Sequence, residues 1–523
     1  MTSRLELRTQ PNVAATPSLL KKLVASNLSV PETRIVRIDV LRRSIDARQR
    51  NVMVNLSLRV HLDAEEPVAP PQSPHYSTLP SDAPQAIVVG AGPAGLFAAL
   101  ALIENGVRPI ILERGKDVDS RRKDLAKIAR NNVVDPDSNY SFGEGGAGAY
   151  SDGKLYTRSK KRGNVEKIIN ILYAHGAPAD ILVDAHPHIG TNLLPDIIKA
   201  IRQTIIRCGG QVHFQTRVSR ILIDKSGTKA IGVQTSSGQE YLGPVILATG
   251  HSARDIYLSL ADSGIEIQPK GIAVGVRLEH PARLIDCLQY HSPNGRGKYL
   301  PAAEYSLLTR VDNRAVYSFC MCPGGVVVPA ATGPGQIVVN GMSASNRGSK
   351  WSNSGMVVEV LPEDIHGDSP LRMMRFQEQI EKNFFDEANG SQNAPAQRMN
   401  DFVLGKTSAS LPQTSYAPGI HPARIDILLP SSVASRLQRG FLDFNKKQPG
   451  FLTNEAILIG CETRTSSPVR IPRDPQLLNH VSVQNLYPAG EGAGYAGGIV
   501  SAAIDGERCA LALAQNLKDN TPP

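Results

Sequence analysis

Residues 86–115 constrain the fold of this chain more than any other stretch. A short β-branched run that ends at Val89 leads into Gly90-Ala91-Gly92-Pro93-Ala94-Gly95, and an apolar helical pattern follows. A second short apolar run then ends at Glu113. The order strand, glycine turn, helix, strand and acid is typical of a βαβ unit that binds a dinucleotide. The alternative is a glycine-rich turn in an α/β core that binds nothing.

The residues of this unit have separate roles in that interpretation. We expect Gly90 to permit the tight turn, Gly92 to let the backbone approach a pyrophosphate, and Gly95 to let the helix pack on the strand. The helix N-terminus offers unpaired N–H groups and a partial positive charge to the phosphates. The acid, Glu113, is placed to accept hydrogen bonds from a ribose diol. The contacts predicted from this unit are Gly90, Gly92, Pro93, Ala94, Gly95, Glu113 and Arg114.

The composition is typical of a soluble globular protein with several domains. Of the 523 residues, 41% are hydrophobic and 20% are charged, which is enough to build more than one core. The longest apolar run, residues 86–103, contains three glycines and a proline, so the dinucleotide unit explains it better than a membrane span does. The N-terminus shows no signal pattern, and six cysteines make no disulfide framework in so long a chain, so we expect a cytoplasmic protein.

The net charge is moderately basic, at +9. A charge of this size fits an anionic substrate, a nucleic acid or a positive cofactor cleft. No run of lysines and arginines favours a nucleic acid, so we expect a small-molecule substrate. The sequence gives no basis for predicting an oligomeric state.

Composition and periodicity divide the chain into five segments. Residues 1–63 predict a small α/β unit, and residues 64–85, with six prolines, predict a semi-rigid linker. Residues 86–268 and 454–523 predict the two parts of a dinucleotide-binding domain. Residues 269–453 are less regular and predict an inserted substrate domain.

The rest of the chain indicates which dinucleotide is bound. After the first βαβ unit the sequence predicts a four-stranded β-meander whose first strand is 211–218, where a nicotinamide enzyme would continue with further βαβ units. The chain closes with a strand, Gly490-Glu491, a glycine turn and an alanine-rich helix. This closing segment resembles the second flavin motif of glutathione-reductase-type FAD folds. The resemblance implies that Glu491 binds the ribityl chain and that the helix N-terminus stabilises negative charge on reduced flavin.

Four further segments narrow the resemblance to one family. They are Ser44 to Arg48, Phe142 to Gly148 with Ser151 to Leu155, Phe319 to Gly325, and Glu462 to Val469. Together they resemble an uncharacterised family of FAD-dependent dehydrogenases with an N-terminal ferredoxin-like domain, distantly similar to aspartate oxidase and fumarate-reductase-like flavoproteins. The likeness covers nearly the whole chain. It implies an α/β fold, with a glutathione-reductase-type, Rossmann-like FAD-binding domain, an inserted α+β substrate domain and a small ferredoxin-like domain.

The resemblance also implies further contacts to FAD. The glycine run at 143–148 is expected to bring backbone close to the flavin. Val218 stands where the family contacts adenine through backbone atoms, and Ala248-Thr249-Gly250 stands where the chain crosses near the pyrophosphate. The additional contacts predicted in this way are Gly145, Gly146, Ala147, Ser151, Val218, Ala248, Thr249, Gly250, Gly490, Glu491, Gly497, Gly498 and Ile499.

Four side chains are candidates for the chemistry itself. Arg464 could clamp a substrate carboxylate, or it could lie in a salt-bridged loop. Cys320 and Cys322, at positions i and i+2 of a strand, would share a face and could relay electrons, although disulfide reductases use a longer spacing; the alternative is two buried thiols. His251 could act as a general acid or base or pack against its loop. No spacing predicts a metal site.

The sequence therefore predicts an FAD-dependent oxidoreductase without identifying its substrate. A second glycine-rich nucleotide unit is missing, so electrons would come from NAD(P)H docking transiently against the flavin, from the substrate, or from a protein donor. Three alternatives stay open at this point. They are a flavoprotein that acts on RNA, a non-catalytic FAD-binding protein, and a thiol-relay reductase that uses Cys320 and Cys322.

Overall fold

The computed structural model describes residues 1–64, 74–157 and 163–520, so residues 65–73 of the predicted linker lie outside the described part. The N-terminal unit consists of β1 Thr2–Thr9, α1 Pro11–Ala15, α2 Pro17–Leu28, β2 Ile35–Asp46 and β3 Met53–Leu62. Its antiparallel sheet has the order β1-β3-β2, and the alternating apolar residues of β3 pack against α2. A ferredoxin-like unit has the order βαββαβ, whereas residues 1–64 contain three strands, so only the βαββ part of that arrangement is described.

The second unit is built on a parallel sheet. Its elements are β4 Gln85–Val89, α3 Pro93–Glu104, β5 Arg108–Leu112, α4 Val118–Asn131, α5 Val165–Ala174, α6 Leu194–Arg207, β6 Gln211–His213, β7 Val218–Ile223, β8 Ala230–Thr235, β9 Glu240–Leu242, β10 Val245–Leu247 and α7 Arg254–Asp262, with β22 Leu486–Pro488 and α13 Ile499–Asp519 returning at the end of the chain. Five strands form a parallel sheet of order β22-β10-β4-β5-β6. Helices α3, α5, α6 and α13 cover one face, and α7 with the small sheet β7-β8-β9 covers the other. Because both faces are buried, strands β22, β10, β4 and β5 are almost continuously apolar, whereas the edge strand β6 is not.

The predicted four-stranded meander is wrong in its first strand. Residues 211–213 form β6, in which Gln211 pairs with Ile110 of β5, so this strand completes the parallel sheet. The chain then turns through Gln215, which has a φ of 53°, and β7 opens an antiparallel sheet of three strands. The error arises because short apolar runs on either side of a turn look alike whichever sheet they join.

The third unit holds a large, mainly antiparallel sheet. Its elements are β11 Gln268–Pro269, β12 Ile272–Pro281, α8 Ala282–Tyr290, β13 Leu308–Val311, β14 Arg314–Cys322, β15 Val326–Pro329, β16 Val339–Met342, β17 Trp351–Val360, α9 Arg372–Glu387, β18 Ala394–Arg398, α10 Met399–Leu404, β19 Ile420–Pro422, α11 Ile425–Leu428, α12 Ser431–Lys447, β20 Ile457–Glu462 and β21 Val469–Arg470. Seven strands pair in the order β13-β14-β17-β12-β20-β18-β19. Side chains of α9 and α12 are part of the core under this sheet.

The boundary predicted at residue 453 lies too early in the chain. Strand β20 belongs to the segment assigned to the second part of the FAD-binding domain, yet it pairs with β12 and β18 inside the third unit. An apolar strand that precedes a polar loop gives no sign of which sheet it joins. Within the described residues, no helix combines the length and apolarity that a membrane span requires.

Candidate cofactor cleft and substrate chamber

A long cleft runs along the carboxyl ends of the parallel strands, where open α/β sheets bind their ligands. Segments that follow β4, β5, β10 and β22 line it, and residues of β14 and β16 line it from the third unit. Its volume is about 1640 Å³ with the open mouth included. The predicted cofactor contacts that line the cleft are Gly90, Gly92, Pro93, Ala94, Glu113, Arg114, Gly146, Ala147, Ser151, Val218, Ala248, Thr249, Gly250, Glu491, Gly497, Gly498 and Ile499. The other three, Gly95, Gly145 and Gly490, lie behind its wall.

The glycines of the first turn have two different roles. Gly90 and Gly95 allow close packing, whereas Gly92 leaves room in the cleft. Gly90 has a φ of 104°, and a Cβ on it would lie 2.5 Å from the Ala248 oxygen. A Cβ on Gly95 would lie 1.9 Å from the Gly90 oxygen, so Gly95 lets α3 pack on the turn. A Cβ on Gly92 would meet nothing closer than the Cα of Gly146, at 3.9 Å. Because no side chain caps α3 at Gly92, the first N–H groups of the helix are available to an anion.

Glu113 holds three backbone segments together. Its buried carboxylate accepts hydrogen bonds from the N–H groups of Ala91 at 2.8 Å, Gly115 at 2.9 Å and Gly143 at 2.9 Å. The bond from Ala91 goes to Oε2, and the other two go to Oε1. Since Oε2 carries a single bond within the described residues, it retains acceptor capacity for a ligand hydroxyl. The contact of Glu113 with a ribose diol stays a prediction, and the three backbone bonds give this residue a second role.

The glycine run at 143–148 also contains both a packing residue and residues that line the cleft. Gly145 has a φ of 81°, and a Cβ on it would lie 2.4 Å from Cδ1 of Ile198 in α6, so it is a packing residue. Gly146, Ala147 and Ser151 line the cleft. This part of the wall therefore consists of backbone and short side chains, which allows close approach of a flat ring.

The motif near the end of the chain provides a second open helix N-terminus. No side chain caps α13 at Gly498, and a Cβ on Gly497 or Gly498 would meet nothing within 4 Å. Gly490 packs instead against α3, because a Cβ on it would lie 2.7 Å from an alanine side chain of that helix. Its N–H donates to the Asp505 carboxylate at 2.7 Å, which fixes the loop before α13.

Two titratable side chains, His251 and Glu491, border the cleft. Nε2 of His251 lies 4.0 Å from Oε2 of Glu491. Enclosure by protein raises the pKa of the Glu491 carboxyl to about 7, and Lys270 opposes this shift. Burial, together with the charges of Arg464 and Arg254, lowers the pKa of His251 to about 4. His251 is therefore neutral at pH 7, which disfavours the acid half of its predicted role as a general acid or base.

Arg464 lines the cleft, but its guanidinium is already bound. Nε and Nη2 each donate to one oxygen of the buried Glu381 carboxylate, both at 3.0 Å. Nη1 donates to the Thr332 hydroxyl at 2.6 Å, and Nη2 donates a second bond to Gln336 at 2.7 Å. Glu381 also accepts two bonds of 2.8 Å from Arg254. One of the five N–H groups of Arg464 is left, so the contacts favour the salt-bridged alternative over a bidentate clamp on substrate.

Cys320 and Cys322 do not form the expected matched pair on one strand face. The register between β14 and β17 shifts between Phe319 and Cys322, and Cys320 has a φ of 42°, so the alternation of side chains is broken. Cys320 is open to the cleft, whereas Cys322 is buried with its Sγ 3.3 Å from Nη2 of Arg277. Enclosure by protein raises the pKa of both thiols, that of Cys320 to about 12. A raised thiol pKa disfavours the thiolate that an electron relay needs.

A smaller, partly polar chamber adjoins the cleft between the 140–151 loop and the third unit. It measures about 500 Å³ with its opening included, and it shares wall residues such as Ser141, Ala147 and Gly341 with the cleft. Its aliphatic wall consists of Val328, Ala330, Val338 and Val339. Its larger polar side chains are those of Tyr140, Tyr150, His251, Asn340, Glu462 and Arg464.

Tyr140 brings to this chamber a hydroxyl with no hydrogen-bond partner among the described residues. Its neighbours are engaged, since the Tyr150 hydroxyl donates to the Val118 oxygen at 3.0 Å and Glu462 accepts from Arg277 at 3.0 and 3.2 Å. Burial raises the pKa of Tyr140 to about 12, so the hydroxyl stays protonated at neutral pH. Sequence reasoning missed Tyr140 because a tyrosine before a glycine run carries no distinctive pattern.

The cleft fits FAD in the chemistry of its lining as well as in its position. Two uncapped helix N-termini, those of α3 and α13, open on it, and each offers N–H donors to negative charge. Cβ atoms on Gly92, Gly497 and Gly498 would project into free space, so glycine at these positions leaves room for a ligand. Within the described residues, no group of three or more His, Cys, Asp and Glu side chains is placed to hold a metal.

Three family models match successive parts of the chain. A domain of unknown function matches residues 1–61, an FAD binding domain matches residues 84–242, and the C-terminal domain-like model of FAD-dependent proteins matches residues 271–465. A relative from Clostridium beijerinckii, described as an uncharacterized protein, is 40% identical over 513 residues, which cover 94% of this chain and 95% of the relative.

Solved structures with lower similarity are flavoproteins and reductases. A geranylgeranyl bacteriochlorophyll reductase-like protein from Thermoplasma acidophilum is 12% identical, with 84% of this chain and 80% of that chain covered and a TM-score of 0.35. A 3-ketosteroid-delta4-(5alpha)-dehydrogenase from Rhodococcus jostii is 14% identical, with 84% and 100% covered and a TM-score of 0.36. At these TM-scores the similarity supports no inference about this chain.

Proposed function

This chain belongs to a family of FAD-dependent proteins, and from that premise we propose that it is an oxidoreductase that transfers hydride between FAD in the cleft and a small organic molecule in the adjoining chamber. The observation that carries the proposal is the continuity of the two cavities. The dinucleotide cleft and the polar chamber share wall residues, so a molecule in one lies beside a molecule in the other. Reactants held in contact in this way gain the rate advantage of proximity.

The proposed FAD contacts are the residues that line the cleft. The open N-termini of α3 and α13 would bind the diphosphate and the pyrimidine end of the flavin, respectively. Glu113 would accept a ribose hydroxyl through Oε2, and Glu491 would bind the ribityl chain. Bound FAD supplies the isoalloxazine, which accepts or donates hydride.

The chamber residues would bind the substrate, orient it and move a proton. The aliphatic wall excludes water from one side of a bound molecule. Tyr140 and Asn340 would donate hydrogen bonds that fix its orientation. The Tyr140 hydroxyl, which holds its proton at neutral pH, is the proposed donor to an oxygen atom of the substrate.

The lining of the chamber supports a small-molecule substrate. An aliphatic wall with a few polar side chains, among them Tyr140 and Asn340, is typical of small-ligand pockets. The thiol-relay alternative gains no support, since the two thiols do not share a face and their pKa values are raised. A cytoplasmic location stays a prediction, and the six free thiols are compatible with a reducing compartment.

An anaerobic absorbance titration of the purified protein tests the proposal. NADPH, NADH and a panel of reduced metabolites would be added in turn while the flavin band near roughly 450 nm is followed. Bleaching by a nicotinamide would identify the reductant and direct the search to oxidised acceptors, and bleaching by a metabolite would identify a dehydrogenase substrate. A protein that takes up no FAD contradicts the cofactor assignment, and a flavin that only dithionite reduces favours the non-catalytic alternative.

A further inference from the structure

The N-terminal unit carries most of the net charge of the chain. Residues 1–64 contain eleven lysines and arginines against five aspartates and glutamates, whereas the whole chain has 57 against 48. Six of the nine net positive charges therefore lie in about one eighth of the residues. Such a concentration points to a polyanionic partner.

The register of the sheet places five of these eleven basic residues on one face. Leu56 and Leu58 of β3 point into the core, so the residues between them, Ser57 and Arg59, point to the opposite face. Residues paired directly across strands share a face. By the pairings of β3 with β1 and β2, the open face carries Thr2, Arg4, Glu6, Arg8, Arg37, Asp39, Arg42, Ser44, Asp46, Met53, Asn55, Ser57, Arg59 and His61. We call these residues the open face.

Three arginines of the open face have no carboxylate partner within the described part of the chain. Arg4 and Arg59 lie directly opposite each other in the β1–β3 pair, and Arg42 lies opposite Ser57 in the β2–β3 pair. None of the three makes an ion pair or side-chain hydrogen bond with the described residues. Like charges directly opposite each other destabilise a sheet, so the juxtaposition of Arg4 and Arg59 is unfavourable for the isolated fold.

The acids of this face do not neutralise those three arginines. Asp39 lies opposite Arg59, but its carboxylate is bound by Arg37 at 2.7 Å and by His61 at 2.9 Å. Asp46 accepts hydrogen bonds from Arg48 at 2.8 and 2.9 Å, and Glu6 makes no ion pair with the described residues. The open face therefore combines several available guanidinium groups with small polar side chains between them.

We propose that the open face binds double-stranded nucleic acid through its phosphate backbone. Arginines bind phosphate oxygens in bidentate fashion, and Ser and Asn side chains add hydrogen bonds to phosphate and sugar. A membrane surface fits less well, because the half-buried Met53 is the one apolar side chain that the pairings place on the open face. Single strands also fit less well, because residues 1–64 contain no Phe, Tyr or Trp on which bases could stack. This inference does not depend on the proposed redox function.

Fluorescence anisotropy with the FAD-loaded full chain tests the proposal. The probes are a 20-base-pair RNA duplex, a DNA duplex of the same sequence, the corresponding single strand, and vesicles with roughly 30% phosphatidylserine. We expect binding to at least one duplex at about 50 mM salt and a steep loss of affinity by about 200 mM. Comparison of the RNA and DNA probes identifies the source of the phosphates.

The triple substitution Arg4→Gln, Arg42→Gln and Arg59→Gln should weaken duplex binding at least tenfold and reduce the salt slope by about 3. The matched control is Lys225→Gln, Lys406→Gln and Lys518→Gln, which removes the same charge from exposed positions outside the N-terminal unit. Equal loss in both variants would mean that net charge alone binds the duplex, and would overturn the site. Binding of vesicles but of no duplex would overturn it as well. FAD content of each variant verifies the fold.

Discussion

Glu381 accepts hydrogen bonds from Arg464 through both of its carboxylate oxygens, at 3.0 Å each. The same two oxygens accept bonds of 2.8 Å from Arg254, so one buried acid serves two buried guanidinium groups. Arg254 begins α7 beside the parallel sheet, Arg464 follows β20 in the third unit, and Glu381 lies on α9. This three-residue cluster therefore connects the two units that enclose the cleft.

Glu381→Gln should destabilise the protein more than Arg464→Gln does. Loss of the carboxylate leaves two buried guanidinium groups without a counter-charge, which costs about 3–5 kcal/mol. Loss of Arg464 leaves Glu381 still paired with Arg254, so its cost should be smaller. Urea unfolding of the FAD-loaded variants measures both. The matched control is Asp386→Asn on the same helix, whose ion pair with Lys382 is exposed and is worth about 0–1 kcal/mol.

Acid should destabilise the wild type because it protonates Glu381 in this cluster. The two guanidinium groups overcome the effect of burial and lower the pKa of Glu381 to about 2, below its ordinary value of 4.5. A carboxyl with a depressed folded-state pKa stabilises the fold above its unfolded pKa and loses that contribution as the pH falls. We expect the free energy of unfolding to drop between pH 4.5 and 2, and Glu381→Gln to flatten this part of the profile. Parallel profiles for the two proteins would contradict the prediction.

Gly92→Val should release FAD without unfolding the protein. A Cβ on Gly92 has only Gly146 within 4 Å and would project into the cleft, where the diphosphate is proposed to lie. We expect at least a tenfold loss of FAD affinity, or about 1.4 kcal/mol, and an intermediate loss for Gly92→Ala. Calorimetry with added FAD measures the affinity, and thermal unfolding of the FAD-free protein should give an unchanged Tm.

Gly95→Ala tests a glycine that is needed for packing rather than for ligand binding. A Cβ on Gly95 would lie 1.9 Å from the backbone oxygen of Gly90, so this substitution should lower the Tm of the FAD-free protein as well as FAD binding. If both variants changed Tm alike, the assignment of Gly92 to the ligand and of Gly95 to packing would be wrong.

The first βαβ unit could be predicted in detail because its roles are local. Gly90 and Gly95 act within a dozen residues of each other, so spacing alone reports the turn and the helix that follows. The Glu381 cluster could not be predicted, because its three members lie far apart in the sequence and meet only in the folded chain. The pairing of β20 with β12 was missed for the same reason.

Other features were missed because their patterns are hidden or disrupted. The arginines of the open face lie at alternate positions of separate strands. Such alternation leaves no run of like charge in the sequence. Cys320 and Cys322 have the spacing of a shared face, but a register shift disrupts that alternation. Glu113 was found by its position after β5, yet its bonds to Ala91, Gly115 and Gly143 depend on the contact between three loops.

Cys320→Ser and Cys322→Ser should each keep their FAD and their turnover. The surrounding protein raises the pKa of both thiols, so very little thiolate exists at neutral pH to start an electron relay. We expect turnover within about threefold of wild type, and slow alkylation of Cys320 by iodoacetamide at pH 8, although this thiol is open to the cleft. Loss of turnover in both variants with FAD retained would restore the thiol-relay alternative.

Glu491→Gln should change how the stability of the FAD-free protein depends on pH. Enclosure raises the pKa of Glu491 to about 7, above its ordinary value of 4.5, so the folded protein binds this proton more tightly than the unfolded chain. The stabilising contribution is complete below pH 4.5 and is lost as the pH rises through 7. We expect Glu491→Gln to equal the wild type near pH 4 and to exceed it by up to about 3 kcal/mol at pH 8. The exposed Glu266→Gln is the control.

Tyr140→Phe should lower the turnover of the substrate that the anaerobic titration identifies. The Tyr140 hydroxyl borders the chamber without a hydrogen-bond partner among the described residues, and its raised pKa keeps it protonated. Loss of a positioned proton donor lowers kcat by about 10²–10⁴-fold, whereas loss of a binding contact alone would raise KM. Tyr150→Phe is the matched control, because that hydroxyl already donates to the Val118 oxygen. A Tyr140→Phe enzyme with unchanged kcat and KM would show that the reaction takes place elsewhere in the cleft.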